Sequence, residues 1–370
     1  MLERFGHGGD LLTAQEAFGG TAADFLDFSS NMNPLGPPQA VLAVIQDYAR
    51  IITAYPDPAS RRLIAKLASL HGVPEESVLI GNGAAELIDL IIRVKQPKAA
   101  AVPAPSFIEY SDAVHKAGGQ VWNVPLLEEE QFAFNERAAD SVEARPSLWI
   151  FGSPNNPTGR RVEPALIRRL LDDGHTVVLD EAFIDFMPDG EAATLIKEAA
   201  VHERLTVLRS MTKFYAVPGI RLGYAIAHPD VVRGMRWLQV PWSVNSLAQA
   251  IGEAALEDSG FAERTLEWLA AERPYLAEQL GRLGLRVYPG EANYILFSLP
   301  TETGLTAGDL QRAMGRKGVL IRDASLFAGL GSQYCRVAVK LRRDNDRLLA
   351  ALQACLASDT GKAGAGLEVK

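Results

Sequence analysis

Between Val78 and Ala227, short runs of aliphatic and β-branched residues alternate with segments whose apolar residues recur at helical intervals, and few folds accommodate that pattern. The strand candidates are Val78–Ile80, Ala99–Val102, Val121–Val124, Leu148–Phe151, Thr176–Leu179, Leu205–Leu208 and Leu222–Ala227. Between them Ala84–Val94, Phe107–Ala117 and Pro164–Leu171 carry helical spacing. Such alternation over about 150 residues predicts an α/β unit, a mostly parallel sheet with helices on both faces. Ligands of such sheets sit outside the carboxyl ends of the strands, so chemistry is sought at those ends.

Beyond Ala227 the pattern changes. Ser246–Glu257 and Phe261–Leu283 read as consecutive helices, the second long enough to connect two domains. Arg286–Tyr288, Asn293–Ser298, a helix near Leu305–Lys317, Val319–Arg322, Cys335–Val339 and a helix over Asn345–Leu356 follow, the α+β pattern of a smaller C-terminal domain. Asn31–Pro38 reads as an extended arm before a helix, and Ser358–Lys370, rich in Gly, Ala and charge, as a disordered tail. The expected division is an N-terminal arm with part of the small domain over 1–45, a large domain over 46–260, the small domain over 261–357 and the tail over 358–370.

A chain of 370 residues that is 48% hydrophobic can bury cores of this size. Its net charge of −8 argues against a nucleic-acid footprint or an anionic-membrane surface. It holds no run of about 18 apolar residues that would span a membrane. Cys335 and Cys355 offer neither a disulfide framework nor a metal spacing, so no metal is expected. Glu3 and Arg4, followed by Gly6-His7-Gly8-Gly9, lack the apolar core of a signal peptide; the expectation is a soluble cytoplasmic protein.

The segment Ser210-Met-Thr-Lys-Phe-Tyr-Ala-Val-Pro-Gly-Ile-Arg-Leu-Gly-Tyr224 sets Lys213 between a hydroxyl and an arginine. An amine that condenses with a carbonyl needs a partly desolvated site and a cofactor to attack. Ser210 and Arg221 read as a phosphate cradle, and a lysine beside phosphate donors points to pyridoxal 5'-phosphate. Asp180 closes an apolar strand, a costly place for a carboxylate without a cationic partner such as a protonated pyridine nitrogen. Ser153-Pro-Asn-Asn-Pro-Thr-Gly159 forces a turn that carries Asn156, an amide able to donate to a phenolate oxygen. In Gly81-Asn-Gly-Ala-Ala-Glu86 the backbone at Gly83, Ala84 and Ala85 opens a helix and can hold a phosphate. Phe107, after Pro105-Ser106, can lie against the pyridine ring. Taken singly, these are equally a surface lysine, a strand-end cap, a tight turn, a glycine-rich loop and a core phenylalanine.

In this order the motifs closely resemble the fold-type I pyridoxal-phosphate enzymes, the aspartate aminotransferase superfamily, over nearly the whole chain. The resemblance implies that Lys213 holds the cofactor covalently, Asp180 pairs with its ring nitrogen and Asn156 contacts its phenolate oxygen. Ser210, Arg221 and the Gly83–Ala85 backbone would hold its phosphate. Tyr55 looks like the tyrosine that family members send into the neighbouring subunit's phosphate site, which implies a homodimer. Arg336 matches the arginine that clamps an α-carboxylate, and Arg322 the side chain that receives a substrate phosphate in histidinol-phosphate aminotransferases and their relatives. His7-Gly-Gly-Asp10, Asp27–Gly36, Asp180–Phe186, Pro241–Asn245 and Tyr288–Tyr294 resemble the L-threonine-O-3-phosphate decarboxylase family. On that resemblance His7, Gly8, Asn31 and Asn156 join Arg322 and Arg336 in binding a small phosphorylated amino acid. Phe183 stands where many aminotransferases of the superfamily place a tyrosine, a departure that fits the decarboxylases. The implied reaction converts O-phospho-L-threonine to (R)-1-amino-2-propanol O-2-phosphate and carbon dioxide, supplying the aminopropanol linker of cobalamin. The alternative is a histidinol-phosphate aminotransferase, which shares the cofactor residues.

Overall fold

The computed structural model describes residue 2 and residues 6–50, 52–142 and 146–363. Its thirteen strands are β1 (Leu26–Asp27), β2 (Val78–Gly81), β3 (Ala99–Ala104), β4 (Gln120–Pro125), β5 (Leu148–Gly152), β6 (Thr176–Asp180), β7 (Leu205–Ser210), β8 (Gly223–Ala227), β9 (Arg286–Val287), β10 (Tyr294–Ser298), β11 (Val319–Leu320), β12 (Arg322–Asp323) and β13 (Tyr334–Ala338). Seven of them form one sheet in the order β2-β8-β7-β6-β5-β3-β4. Neighbours from β7 through β4 run parallel, and β8 alone is antiparallel, to both β7 and β2. The α/β class with a mostly parallel sheet is therefore what the chain adopts. Every residue of β5 and β7 is buried, which is why these strands read as continuous rather than alternating apolar runs.

Helices cover both faces. Leu87, Ile91, Tyr110, Val114 and Met235 pack with Ile150, Val178 and Leu208 on one face. Leu67, Ile167, Leu170 and Ile251 pack with Trp149, Val177 and Val207 on the other. Local signals start these helices: Pro164 opens Pro164–Asp172 at its first turn, and Asn245 caps Ser246–Ala255 by accepting from the Ala248 N–H.

A second, antiparallel sheet, β12-β13-β10-β9, carries its own core of Phe297, Leu310, Met314, Val337 and Leu352. Helix Phe261–Arg282 packs Leu269, Leu276 and Leu280 into that core. The N-terminal arm joins this half, since β1 pairs in parallel with β11. Here the expected single strand Val319–Arg322 is corrected: the chain changes partner at the fully buried Ile321, so Val319–Leu320 pairs with the arm and Arg322–Asp323 with β13. Likewise the last helix runs from Arg342 to Ala363, into the segment 358–370 expected to be disordered, because Ala357 and the residues after it continue the helical backbone; 364–370 lie outside the described residues. Among the described residues no helix is long and apolar enough to cross a membrane.

The strand ends are clamped by a buried ion pair. The Arg209 guanidinium, 1% exposed, donates Nε to Glu181 at 2.8 Å and Nη1 to Asp185 at 2.7 Å. Glu181, also 1% exposed, further accepts from Thr194 Oγ1 at 2.6 Å and the Leu195 N–H at 3.2 Å. Burial pushes the Glu181 carboxyl up, and the Arg209 charge opposes that most strongly. Removing one member of such a pair strands the other in a dry interior, at a cost of about 3–5 kcal/mol. Glu181→Ala is therefore expected to lower the thermal midpoint by roughly 5–10 °C. The exposed pair Arg233–Asp230, tested as Arg233→Ala in the same melting series, should give a shift of about 1 °C or less.

Candidate active site

Register brings the functional residues to one edge. Gly152 lies opposite Asp180, Asp180 opposite Leu208, Ser210 opposite Gly223, and Gly223 opposite Gly81. The ends of β5, β6, β7 and β2 and the start of β8 thus form a continuous rim. At its β2 end, Gly83 has φ +81°, and a Cβ there would lie 2.7 Å from Arg221 Nη2. Only glycine fits the turn and lets the guanidinium sit against the backbone that opens helix Ala84–Lys95. The first N–H groups of that helix have no intrahelical acceptor, so Arg221 and the Ala84 and Ala85 amides face outward as one anion-binding set. Gly223, which sequence reasoning missed, permits this: a Cβ on it would fall 2.9 Å from the Ala84 nitrogen. A glycine opening a buried strand was the available signal.

Lys213 stands in the short helix Met211–Phe214 that follows β7. Its Nζ donates to Thr212 Oγ1 at 3.1 Å, which in turn is 2.9 Å from Ser210 Oγ. Burial, and next the Arg221 charge, bring the Lys213 amine down to about 8, against the opposing pull of Asp180. Asn33 fixes this turn from the arm: its N–H donates to the Lys213 carbonyl at 3.1 Å, and its Nδ2 donates to the Phe214 carbonyl and Thr265 Oγ1, each at 2.9 Å. Neither Thr212 nor Asn33 was singled out from sequence; the contacts of Asn33 exist only once the arm folds against the Lys213 turn.

Asp180 is buried on the same rim. Tyr110 donates its hydroxyl to Oδ2 at 2.8 Å and the Ala182 N–H reaches Oδ1 at 3.0 Å. Burial pushes the carboxyl up, opposed by these bonds and the Lys213 charge. Tyr110 is a second residue that sequence reasoning missed; it lies one helical turn beyond Phe107, whose ring it meets edge-on at 5.6 Å.

The second sheet supplies positive charge. Arg322 and Arg336 are direct cross-strand partners on β12 and β13, each about 5% exposed. Arg336 donates Nη1 to Asn156 Oδ1 and Nη2 to the Ser29 carbonyl at 2.6 Å, tying both halves and the arm together. Arg322 donates Nη2 to the Gly6 carbonyl at 2.5 Å and lies over the Phe327 ring. Asn31 is buried beside this pair, with its Oδ1 unbonded and its carbonyl accepting from Asn293 Nδ2 at 3.1 Å. Gly8 packs against the arm itself, since a Cβ would meet the Ser29 carbonyl at 2.3 Å. His7 Nε2 is 3.0 Å from Glu109 Oε1, and its ring is 6.0 Å from that of Phe107. Tyr55 stands apart, 85% exposed and tilted against Trp242. Asp180, Ser210 and Lys213 lie at or just past the strand ends that form the rim, Arg221 sits against Gly83, and Asn156 bonds Arg336, whereas His7, Gly8 and Asn31 lie along the N-terminal arm.

An arginine against a helix N-terminus, a desolvated lysine and a buried carboxylate thus lie together on one rim. The description "aminotransferase class I and II" belongs to the family model that matches residues 23–352. The chain is 37% identical over 353 residues to the threonine-phosphate decarboxylase of Salmonella typhimurium, covering 94% of this chain and 95% of that one. The crystal structure of histidinol-phosphate aminotransferase from Clostridium acetobutylicum is similar with a TM-score of 0.83 and 30% identity, over 90% of this chain and 99% of that chain. That of L-threonine-O-3-phosphate decarboxylase from Porphyromonas gingivalis is similar with a TM-score of 0.80 and 26% identity, over 89% and 99%. With a rim of this geometry and likeness along almost its full length, the chain belongs to the class I and II aminotransferase family.

Proposed function

We propose that this chain is a pyridoxal-phosphate-dependent decarboxylase that converts O-phospho-L-threonine to (R)-1-amino-2-propanol O-2-phosphate and carbon dioxide in adenosylcobalamin biosynthesis. The observation that carries the reading is the cross-strand pair Arg322 and Arg336, two buried guanidiniums on one face of the second sheet, of which Arg336 reaches the Asn156 turn. Like charges directly opposite on a sheet repel, and a substrate bearing both phosphate and carboxylate offsets that repulsion. The similarity to threonine-phosphate decarboxylases points to the same substrate. Phe183 agrees with it: the ring packs edge-on against Tyr294 at 5.0 Å and offers no hydroxyl to the cofactor. A histidinol-phosphate aminotransferase is the second reading, favoured by the structural likeness to that enzyme.

The donor set fits the cofactor. Ser210, Arg221 and the Gly83, Ala84 and Ala85 backbone would hold its phosphate, Asp180 its ring nitrogen, Asn156 its ring oxygen, and Phe107 its face. When bound, pyridoxal phosphate supplies an electron sink for the pair left on Cα as a substituent departs. Arg336 and Arg322 fix carboxylate and phosphate, and so determine which Cα bond stands perpendicular to the ring. His7, Gly8 and Asn31 close the phosphate end from the arm. Burial raises the Asp180 carboxyl, so a cation beside it would be favoured there, as a protonated ring nitrogen would be. Lys213 would hold the cofactor, and its amine would be the acid that returns a proton to Cα where the carboxylate left.

An apolar surface supports a homodimer. Tyr55, Trp242, Trp237 and Val240 are exposed by 85%, 52%, 88% and 70%. A second copy covering them would bring Tyr55 to the partner's phosphate cradle. Residues 46–260 form the large cofactor-binding domain in this reading, 261–357 with the arm the smaller domain, and the cytoplasm is the compartment.

Purified protein loaded with pyridoxal phosphate is expected to release carbon dioxide and aminopropanol phosphate from O-phospho-L-threonine with no need for 2-oxoglutarate. Glutamate formed only from 2-oxoglutarate with histidinol phosphate would establish the second reading instead. Lys213→Ala should lose both turnover and covalent cofactor. Arg322→Gln should raise KM for O-phospho-L-threonine by about 10- to 100-fold, the loss of a charge-assisted contact, as measured by initial rates. Covalent uptake of pyridoxal phosphate requires the neutral amine, so its rate should rise with pH through a midpoint of about 8, the value to which Lys213 is brought. Because the Arg221 charge helps lower that value, Arg221→Gln should move the midpoint upward, read by stopped-flow absorbance on the apoprotein.

A further inference from the structure

The Asn156 turn follows a strand of the seven-stranded sheet and is tied there to Asp180 and Pro105, yet three further bonds lead to the half that carries the other sheet. The Glu291 N–H donates to the Gly159 carbonyl at 2.7 Å, and Arg336 donates to Asn156 Oδ1. Tyr294, fully buried on β10, donates its hydroxyl to the Asn155 carbonyl at 2.8 Å. The two backbones touch: a Cβ on Gly159 would lie 3.0 Å from Gly290 Cα, and one on Gly290 3.0 Å from the Thr158 carbonyl. Two glycines in mutual contact leave no room for a side chain to act as a spacer or to slide.

Tyr294 stands at the centre of this seam. Its ring takes the Arg336 guanidinium on its face, with Cζ 5.3 Å from the centroid, and the Phe183 ring at its edge. One side chain therefore contacts the carboxylate clamp, the segment after Asp180, and the backbone next to Asn156. The Asn155 carbonyl that it holds also accepts the Gly159 N–H at 2.6 Å, so the hydroxyl bonds the closing point of the turn.

We propose that Tyr294 is a positioning residue that locks the Asn156 turn to the arginine-bearing sheet, so that the amide on the cofactor's ring oxygen and the guanidinium on the substrate carboxylate move as one unit. This rests on the roles given above to Asn156 and Arg336. Tyr294→Phe keeps the ring under Arg336 and against Phe183 and removes only the bond to Asn155. The turn then loosens, and the Asn156 amide donates less well to the ring oxygen. A ring oxygen with a weaker donor holds more negative charge, and the bound chromophore keeps its proton to higher pH.

The test titrates the visible absorbance of the pyridoxal-phosphate-loaded protein from about pH 5 to about pH 10 in four forms. These are wild type, Asn156→Ala, Tyr294→Phe and Tyr288→Phe. Tyr288 bonds Glu128 across the same seam, and Ser298 within its own half, without touching the turn, so its loss reports general loosening alone. The expected result is an upward midpoint shift in Asn156→Ala, a shift of about half a pH unit in the same direction in Tyr294→Phe, and none in Tyr288→Phe. A Tyr294→Phe midpoint on the wild-type value, or equal to that of Tyr288→Phe, while Asn156→Ala moves, overturns the inference and leaves the proposed function standing. An Asn156→Ala midpoint that stays put removes Asn156 from the cofactor, and this inference with it.

Discussion

Asp180 and Glu181 are consecutive carboxylates at the end of one strand, and the pleat sends them to opposite faces of the sheet. Asp180 shares the face of Val178 and Leu208 and meets Tyr110; Glu181 shares the face of Val177 and Val207 and meets Arg209. Ser210 and Arg209 alternate in the same way on the next strand. The candidate site is one face of this double row, and the ion pair on the other holds its two strands in register. Shifting either strand by a single residue would exchange chemistry for structure at every position.

Much of this was legible in the chain. The parallel strands announce themselves because both faces are buried, which leaves uninterrupted apolar runs bounded by polar rim residues. Lys213, Asp180, Asn156 and Gly83 were found because each sits at such a boundary, in a segment whose glycines and prolines mark a turn. Tyr110, Asn33 and Gly223 escaped because their roles exist only across distant segments, and Thr212 because a hydroxyl beside a lysine carries no signal until the side chains are placed. A tyrosine inside an amphipathic helix looks like core until the carboxylate it bonds, from another strand, is in place. The split of Val319–Arg322 was equally hidden, since nothing local to Ile321 records that the chain changes partner there.

The two halves divide the labour by charge. On the proposed reading the seven-stranded half would hold the ring and its phosphate, while the four-stranded half presents guanidiniums whose mutual repulsion a doubly anionic guest would relieve. The arm belongs to both: β1 pairs with β11, Ser29 and Gly6 accept from the arginines, and Asn33 bonds the backbone of Lys213. Specificity for the guest and placement of the amine are thus linked through a stretch of chain that carries neither group.

The antiparallel strand β8 has a consequence for how the molecule is made. It lies between β7 and β2, so the phosphate cradle joins a glycine turn near residue 81 to residues that leave the ribosome far later. Pairing of β1 with β11 spans nearly the whole chain. Contacts this distant in sequence form slowly, after much loop entropy has been lost. A nascent chain can assemble β3 through β7 as they emerge, but it has no cradle until β8 arrives and no substrate clamp until β13. On the proposed reading, cofactor capture waits for β8, about three-fifths of the way along the chain, and chains truncated before it are excluded from holding the cofactor.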